Sequence, residues 1–312
     1  MKIEKERIFL ATIGEDYKNI AKKYGFGIEM DQFSFSQTMD SEKEIAAVWE
    51  ELDGIRGQKP LIMHGPFTEI FPAAIDPKAR LFSMERLKQC YELARRFGVD
   101  KMVVHSGYVP FTYFKSWQVE RSIEFWSEFL AWIGEKRAAE KLSPFTLLVE
   151  NVLDDEPDML FEIMKGIYNL AEDRINCVNP AAGGNCTDSG EAAKHSQSGE
   201  FCMPERAAAA WPREFARIGV CLDIGHANCI SPVPLEAWID RLAPYLMHTH
   251  IHNNFGERGK DLHLPPAEGA LDVKTLIEKI EKMTAAGLCG SVTYTEECMD
   301  CEAAARWFSK NF

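Results

Sequence analysis

The sequence lacks the long apolar run that a membrane span requires. None of its apolar stretches reaches about 18 residues, and the apolar part of the N-terminal MKIEKERIFLATIG is too short for a signal peptide. The nine cysteines are an odd number without the dense spacing of a disulfide framework. We therefore expect a cytoplasmic protein that has no contact with a membrane.

The sequence also has fewer basic than acidic residues. Lys and Arg number 35 against 48 Asp and Glu, so the formal net charge is −13. A phosphate backbone is bound by clustered basic residues, so nucleic acid is not an expected partner of this acidic chain. Acidic residues that converge in the fold would instead favour a bound cation. The hydrophobic share of 46% is typical of a globular chain, which excludes a disordered, collagen-like or coiled-coil protein.

Short apolar runs alternate with amphipathic helical patterns along the chain. Strands are predicted at Arg7–Ile13, Phe26–Met30, Pro60–His64, Lys101–His105, Phe145–Glu150, Ile218–Asp223, Leu246–His250 and Gly290–Glu296. Helices are predicted at Glu15–Tyr24, Ser41–Ile55, Pro77–Phe97, Ser116–Lys141, Glu156–Leu170, Leu235–Ala243, Val273–Ala286 and Cys301–Ser309. No glycine fingerprint of a dinucleotide-binding sheet accompanies this rhythm. Eight strand–helix repeats predict one α/β domain over residues 1–312, a (β/α)₈ TIM barrel.

One connection is longer than such a barrel needs. Residues 173–210, approximately, separate the fifth barrel helix from the sixth strand, and this stretch is rich in Gly, Ser, Ala and Asn. We predict an inserted loop or small subdomain, either less ordered than the barrel or packed as a lid beside its mouth. A structural zinc on Cys177, Cys186, His195 and Cys202 is a weaker alternative, because their spacing matches no common zinc motif.

Six consecutive predicted strands end in a side chain that can bind a metal or carry a proton. They present His64, His105, Glu150, Asp223 with His226 just beyond, the set His248, His250 and His252 on one strand face, and Glu296. The active site of a (β/α)₈ barrel lies at the C-terminal ends of its strands, so we expect these side chains to meet. Imidazole and carboxylate ligands without thiolate suit Zn²⁺, Mn²⁺, Co²⁺, Fe²⁺ or Mg²⁺. We predict a divalent-metal site and no nucleotide cofactor.

The loop after the seventh strand adds further candidates. Asp261 and His263 stand two residues apart in a stretch rich in Gly and Pro, from which they can reach a metal or a substrate oxygen. The alternative is a surface turn. Arg258 and Lys260 precede them as candidate partners of a substrate phosphate, or else as solvated loop charges.

The motifs HGPF, HSGY, LLVEN, CLDIGHAN, HIHNN with DLHLPPAEG, and TEE resemble, in this order, those of the xylose isomerase-like superfamily. This superfamily contains sugar phosphate isomerase and epimerase barrels and their relative endonuclease IV, and the resemblance covers nearly the whole chain except the insertion. In the isomerase branch Glu, Asp, His and Glu hold one metal, which implies Glu150, Asp223, His250 and Glu296 as ligands here. The resemblance also implies that Glu150 and Glu296 serve as acid and base.

The endonuclease IV branch holds three zinc ions with a larger set of ligands. The matching positions here are His64, His105, Glu150, Asp223, His226, His250, Asp261, His263 and Glu296. Two features favour the sugar branch, namely the acidic charge and the likeness of HIHNN and DLHLPPAEG to the epimerase-like pattern. Asn253 departs from that pattern, which usually has Asp at this position.

The residues and the resemblance together predict a metal-dependent isomerase or epimerase that acts on a sugar or sugar phosphate. The reaction removes a proton α to a carbonyl, and His252, Arg258 and Lys260 are predicted to contact the substrate. A dehydratase acting on an inositol-like ketone would use the same proton abstraction. The alternatives are multi-zinc phosphodiester hydrolysis, as in an AP endonuclease, and a non-catalytic sugar-binding barrel. A homo-oligomer is compatible with each of these functions.

Overall fold

A computed structural model describes residues 2–55, 57, 60–178 and 214–312, with the backbone alone for residues 172–178. Eight parallel strands form a closed barrel in which each strand pairs with its neighbour in the sequence. The strands are β1 Ile8–Ala11, β2 Gly27–Met30, β3 Leu61–His64, β4 Lys101–His105, β5 Phe145–Glu150, β6 Ala216–Asp223, β7 Leu246–Ile251 and β8 Thr293–Glu296. Pairing of β1 with β8 closes the ring. The predicted (β/α)₈ barrel is confirmed.

Helices connect successive strands and cover the outside of the barrel. The helices are α1 Tyr17–Tyr24, α2 Ser36–Met39, α3 Glu42–Glu51, α4 Pro77–Phe97, α5 Lys115–Glu140, α6 Asp158–Val178, α7 Ile224–Ile230, α8 Leu235–Leu242, α9 Val273–Ala285 and α10 Cys301–Asn311. Hydrophobic periodicity does not predict α2 and α7, because four and seven residues are too few to establish a helical repeat. In the described part of the chain, no helix is long and apolar enough to cross a membrane.

Local signals determine where the barrel helices begin and end. Ser41 caps α3 by accepting a hydrogen bond from the backbone N–H of Glu44, 3.3 Å away, at the spacing of a capping box. Asp76 caps α4, whose first residue is proline, and Gly98 ends that helix in the left-handed conformation at φ 71°. The N-caps Ser41 and Asp76 end loops at the barrel mouth, whereas Gly98 begins a short connection at the opposite face.

The inside of the barrel contains a small apolar cluster and, nearer the C-terminal strand ends, a concentration of ionisable side chains. Phe9, Ile62, Val103, Leu148 and Cys221 form a small buried cluster within the ring of strands. A larger apolar core packs the outer faces of the strands against the helices. Nearer the C-terminal ends, the inward positions of the strands carry carboxylates and imidazoles that are fully or almost fully buried. The candidate site therefore lies on the C-terminal side of this apolar cluster.

The predicted insertion falls largely outside the described residues. The preceding helix α6 ends at Val178, and β6 begins at Ala216. Because barrel helices run antiparallel to the strands, both flanks lie at the N-terminal face, opposite the strand ends that carry the candidate site. Residues 179–213 are not described, so the lid and the structural zinc stay predictions.

Candidate metal centre

Six of the eight histidines lie in a barrel strand or within three residues of its end, and His263 lies in the loop after β7. All seven have carboxylates nearby. The possible ligand atoms form overlapping groups, and within each group they lie within 4.8 Å of one another. The groups at the mouth are His64, His105 and Glu150; Glu150, Asp223 and His226; Glu29, His250 and Glu297; and His226, His252, Asp261 and His263. The strand ends that carry His64, His105, Glu150, Asp223 and His250 therefore lie close together at the mouth.

His250 occupies the centre of this arrangement. Its buried Nδ1 has no hydrogen-bond partner among the described residues. Three carboxylate oxygens nevertheless surround it, from Glu297 at 3.1 Å, Glu150 at 3.3 Å and Asp223 at 3.9 Å. Buried carboxylates repel one another unless a cation or protons neutralise them. These four residues, His250, Glu150, Asp223 and Glu297, are called the central group. Its imidazole nitrogen and three carboxylates, without hydrogen bonds to that nitrogen, fit a divalent cation bound at their common point.

Glu150 links the central group to three further histidines. Its Oε2 lies 3.3 Å from His64 Nε2 and 3.5 Å from His105 Nε2, and its Oε1 lies 3.3 Å from His226 Nδ1. Burial opposes ionisation of Glu150, but His250 and His105 outweigh it and hold the pKa of that carboxyl well below its usual range. Burial lowers the pKa of His105 to about 3, whereas Glu150 overcomes burial and raises the pKa of His64 to about 9.

Asp223 is held in place by the strand before it and the helix after it. The Asn151 amide donates to the Asp223 carbonyl and accepts from its backbone N–H, both at 2.9 Å. Asp223 Oδ1 caps α7 by accepting from the backbone N–H of His226 at 2.7 Å, and its carboxylate lies 2.9 Å from His252 Nε2. The caps and amide bonds orient the carboxylate before any ligand arrives. The motif LLVEN contains this Asn151, although its role depends on a strand 72 residues away.

An outer group lies beyond Asp223, toward solvent. Asp261 contacts His263 Nε2 at 2.8 Å, His226 Nε2 at 3.2 Å and His252 Nδ1 at 3.3 Å. The rings of His252 and His263 stack with centroids 3.9 Å apart. His263 has φ 46°, an uncommon backbone conformation for a residue other than glycine, and its Nδ1 lies 2.7 Å from the carbonyl oxygen of Glu297. The Asp261 and His263 side chains thus reach back to the mouth of the barrel.

The structure separates the two adjacent glutamates at the end of β8. Side chains alternate along a strand, and Thr295 points into the barrel, where its hydroxyl donates to Glu29. Glu297 therefore also points inward, to His250, and burial raises its pKa to about 8. Glu296 points to the outer side, where both of its buried oxygens lack hydrogen-bond partners among the described residues. The third carboxylate beside His250 Nδ1 is therefore that of Glu297, and the structure does not bring Glu296 to this group.

Of the three residues predicted to contact the substrate, one lies in the site and two lie outside it. His252 is buried in the site, between Asp223 and Asp261. Arg258 and Lys260 are exposed, and Lys260 pairs with Glu257 in its own loop. The described contacts of these two basic residues do not reach the candidate metal-binding groups.

Glu29 is a buried residue near the centre that the strand-end pattern does not include. It lies within β2 and is fully buried inside the barrel, with its carboxylate between His248 and His250. A signal for it exists in the sequence, since an ionisable residue within the apolar strand GIEM is costly to bury without partners.

Gly225 provides a direct test of how tightly this centre is packed. A Cβ atom at this position would lie 2.0 Å from the His252 ring, so we expect Gly225→Ala to displace the ring and lower the stability of the metal-free protein by about 1–3 kcal/mol. Urea denaturation and metal stoichiometry would measure the effect. Gly290→Ala is the matched control, because nothing lies within 4 Å of its added Cβ. Equal stability of the two variants would contradict the packing described here.

Comparison with known proteins identifies the family to which this chain belongs. The xylose isomerase-like TIM barrel model matches residues 19–174 and 202–310. An uncharacterized protein of Methanocaldococcus jannaschii, MJ1311, is 23% identical over 245 residues, which are 78% of this chain and 67% of that protein.

Solved structures agree with this fold. A D-tagatose 3-epimerase-like protein superimposes with a TM-score of 0.63 at 20% identity, covering 97% of this chain and 95% of its own. The Thermus thermophilus protein TTHB071, soaked with ZnCl₂, has a TM-score of 0.62 at 18% identity and 97% coverage of both chains. Likeness at these identities concerns the fold, while the family model spans most of the chain. The chain belongs to the xylose isomerase-like TIM barrel family.

Proposed function

We propose that this protein is a divalent-metal-dependent isomerase or epimerase of a sugar or sugar phosphate. The observation that carries the proposal is the environment of His250 Nδ1, a buried nitrogen without a hydrogen bond that faces carboxylates from β5, β6 and the end of β8. Glu150, Asp223, His250 and Glu297 would hold the metal. Membership of the family and the likeness to a D-tagatose 3-epimerase-like structure support the same function.

The chemistry requires a proton to leave a carbon beside a carbonyl and to return to the substrate. The metal ion supplies Lewis-acid stabilisation of the negative charge that develops on the substrate oxygens. Glu150 and Glu297 approach the same nitrogen of His250 from different strands. A carboxylate oxygen of one glutamate would take the proton, and the carboxyl of the other would return a proton from the other side. Both side chains are buried, which excludes bulk water from the transfer.

An aromatic wall beside the histidines suits a small sugar. The Phe67 ring stacks on His105 with centroids 4.5 Å apart and planes inclined by 16°. The half-exposed Phe35 meets Phe67 edge to face at 6.0 Å. Such rings pack against the C–H face of a sugar, while the polar centre contacts its oxygens.

Phosphodiester hydrolysis is a second candidate, favoured by the number of ligand groups. His64 and His105 converge on one oxygen of Glu150, and His226 and His263 converge on Asp261. With the central group, these sets are sufficient for more than one metal ion. Two or three ions would generate a hydroxide nucleophile and stabilise the leaving oxygen.

A single experiment separates the two functions. The protein is loaded with Mn²⁺, Co²⁺ or Zn²⁺, its metal content is measured, and it is incubated in D₂O with ketoses, their phosphates and an abasic-site DNA duplex. We expect deuterium to appear beside a sugar carbonyl. Asp261→Asn, which removes the carboxylate of the outer group and leaves the side chains around His250 Nδ1 unchanged, should retain most of this exchange, but it should abolish cleavage by a multi-metal hydrolase.

Each other outcome overturns the proposal. DNA scission without deuterium in any sugar would establish the hydrolase. Sugar binding without exchange or cleavage would establish a binding barrel, and absence of bound metal would remove the basis of both enzymatic proposals.

A further inference from the structure

A line of hydrogen-bonded side chains runs inside the barrel, from its N-terminal half up to His250. Lys101 Nζ lies 3.1 Å from Thr293 Oγ1, which lies 2.6 Å from His248 Nδ1. His248 Nε2 is 3.2 Å from one oxygen of Glu29, whose other oxygen is 3.1 Å from His250 Nε2. Apart from the partly buried Lys101 and Thr293, these groups are fully buried.

Lys101, which can only donate, and Glu29, which can only accept, determine the direction of each hydrogen bond in this line. An ammonium group can only donate hydrogen bonds, so Lys101 donates to Thr293, whose hydroxyl proton is then free to bind His248 Nδ1. The Glu29 carboxylate can only accept, so His248 carries its proton on Nε2, which donates to Glu29, and its Nδ1 accepts from the Thr293 hydroxyl. A carboxylate accepts only, and its second oxygen accepts the Nε2 proton of His250. Every hydrogen bond from Lys101 to His250 therefore has one donor and one acceptor.

The hydrogen bond to Glu29 determines which ring nitrogen of His250 has a lone pair free for a cation. With Nε2 committed to Glu29, the lone pair available to a cation is on Nδ1, the atom that Glu150, Asp223 and Glu297 surround. We infer that Glu29 is a positioning residue that fixes the tautomer and the ring orientation of His250 for binding metal through Nδ1. Lys101, Thr293 and His248 hold Glu29 in turn. The inference rests on the metal centre proposed above.

Glu29→Gln tests this role with little change of shape. An amide replaces one acceptor oxygen by an N–H₂ donor, so the substituted side chain cannot accept from His248 and His250 together. We expect a loss in affinity for Zn²⁺ or Co²⁺ of about 10–100-fold, the range usual for removal of a group that orients a metal-binding histidine. Isothermal titration calorimetry of the metal-free protein measures this loss without any assay of activity.

Nitrogen NMR of the zinc-loaded protein gives a second, independent readout. With ¹⁵N-labelled histidine, His250 should show an unprotonated, metal-bound Nδ1 and a protonated Nε2. Zinc bound to Nε2 of His250 in the wild type would overturn the inference. Glu29→Gln should lose this pattern or mix it with the opposite tautomer.

Thr293→Val keeps the test decisive if Glu29→Gln fails to fold. It removes the hydroxyl between Lys101 and His248 and should lower metal affinity less than Glu29→Gln does, while Thr293→Ser should restore it. Thr249→Val is the matched control, since the Thr249 hydroxyl lies on the same strand as His248 and has no hydrogen-bond partner among the described residues.

The outcomes distinguish this inference from the proposal on which it rests. If the wild type binds no metal, the proposed metal centre fails. If the wild type binds metal and the Glu29 and Thr293 variants bind it as tightly as Thr249→Val does, the positioning role fails while the metal centre stands.

Discussion

Glu297→Gln is expected to slow exchange of the substrate C–H proton by at least about 10²-fold, the loss typical of a positioned acid–base group, and to weaken metal binding. The same change at the adjacent Glu296 should leave both properties near those of the wild type. The physical reason is the alternation of side chains along β8. The Glu297 carboxylate lies 3.1 Å from His250 Nδ1, whereas Glu296 points to the opposite side of the strand.

Glu296→Gln is a close control, because it makes the same chemical change one residue away. Burial raises the pKa of the Glu296 carboxyl well above its usual value, so an amide resembles the neutral acid present in the folded protein. A carboxyl with a raised folded pKa stabilises the fold fully below its ordinary pKa of about 4.3, and this contribution is lost as pH rises toward the folded value. The variant should therefore gain stability relative to the wild type as pH rises.

Two measurements check this pair of variants. Metal titration and exchange in D₂O report on the site, and denaturation of the metal-free proteins between about pH 5 and pH 8 reports on stability. Loss of metal binding in Glu296→Gln together with normal function of Glu297→Gln would contradict the geometry. It would restore the assignment that the sequence motif implies.

Asn253→Asp is expected to destabilise the metal-free protein by about 3–5 kcal/mol, the cost of a buried charge without a partner. The buried Asn253 amide N–H₂ donates to the carbonyls of Pro266 and Leu271, at 3.2 and 3.1 Å. Its oxygen accepts from the backbone N–H groups of Asn254 and Leu271, at 2.9 and 3.0 Å. A carboxylate cannot donate, so Asp would place a negative charge against two carbonyl oxygens.

The surroundings leave little room for relaxation. Gly269 has φ 111°, and a Cβ atom there would lie only 2.5 Å from Asn253 Oδ1, so backbone packs directly against the amide. Urea denaturation measures the loss, and Gln37→Glu at an exposed position controls for the added charge. An unchanged free energy of unfolding would show that this loop accepts the Asp that is more usual in epimerase-like sequences.

The sequence alone predicts the order of the elements and most of the residues at the mouth. Apolar periodicity is local, so the eight strands and their helices can be recognised without knowledge of their partners. The closed parallel barrel then places the strand ends together, which explains why His64, His105, Glu150 and Asp223 were predicted to converge and do so.

Only the tertiary structure decided between Glu296 and Glu297. A predicted strand of approximate length does not define which side chains face inward at its last residues. The register with β7 does so, since it pairs His250 with Thr295 and Ile251 with Glu296. A shift of one residue would exchange the inner and outer faces.

The partners of buried polar residues are also a property of the tertiary structure. Glu29 meets His250 across 221 positions in the sequence, and Asn151 meets Asp223 across 72. Local patterns determine which segments become strands and which residues end them, because those choices depend on neighbours in the chain. Which carboxylate faces which imidazole depends on closure of the barrel, because only closure brings distant strands within hydrogen-bonding distance.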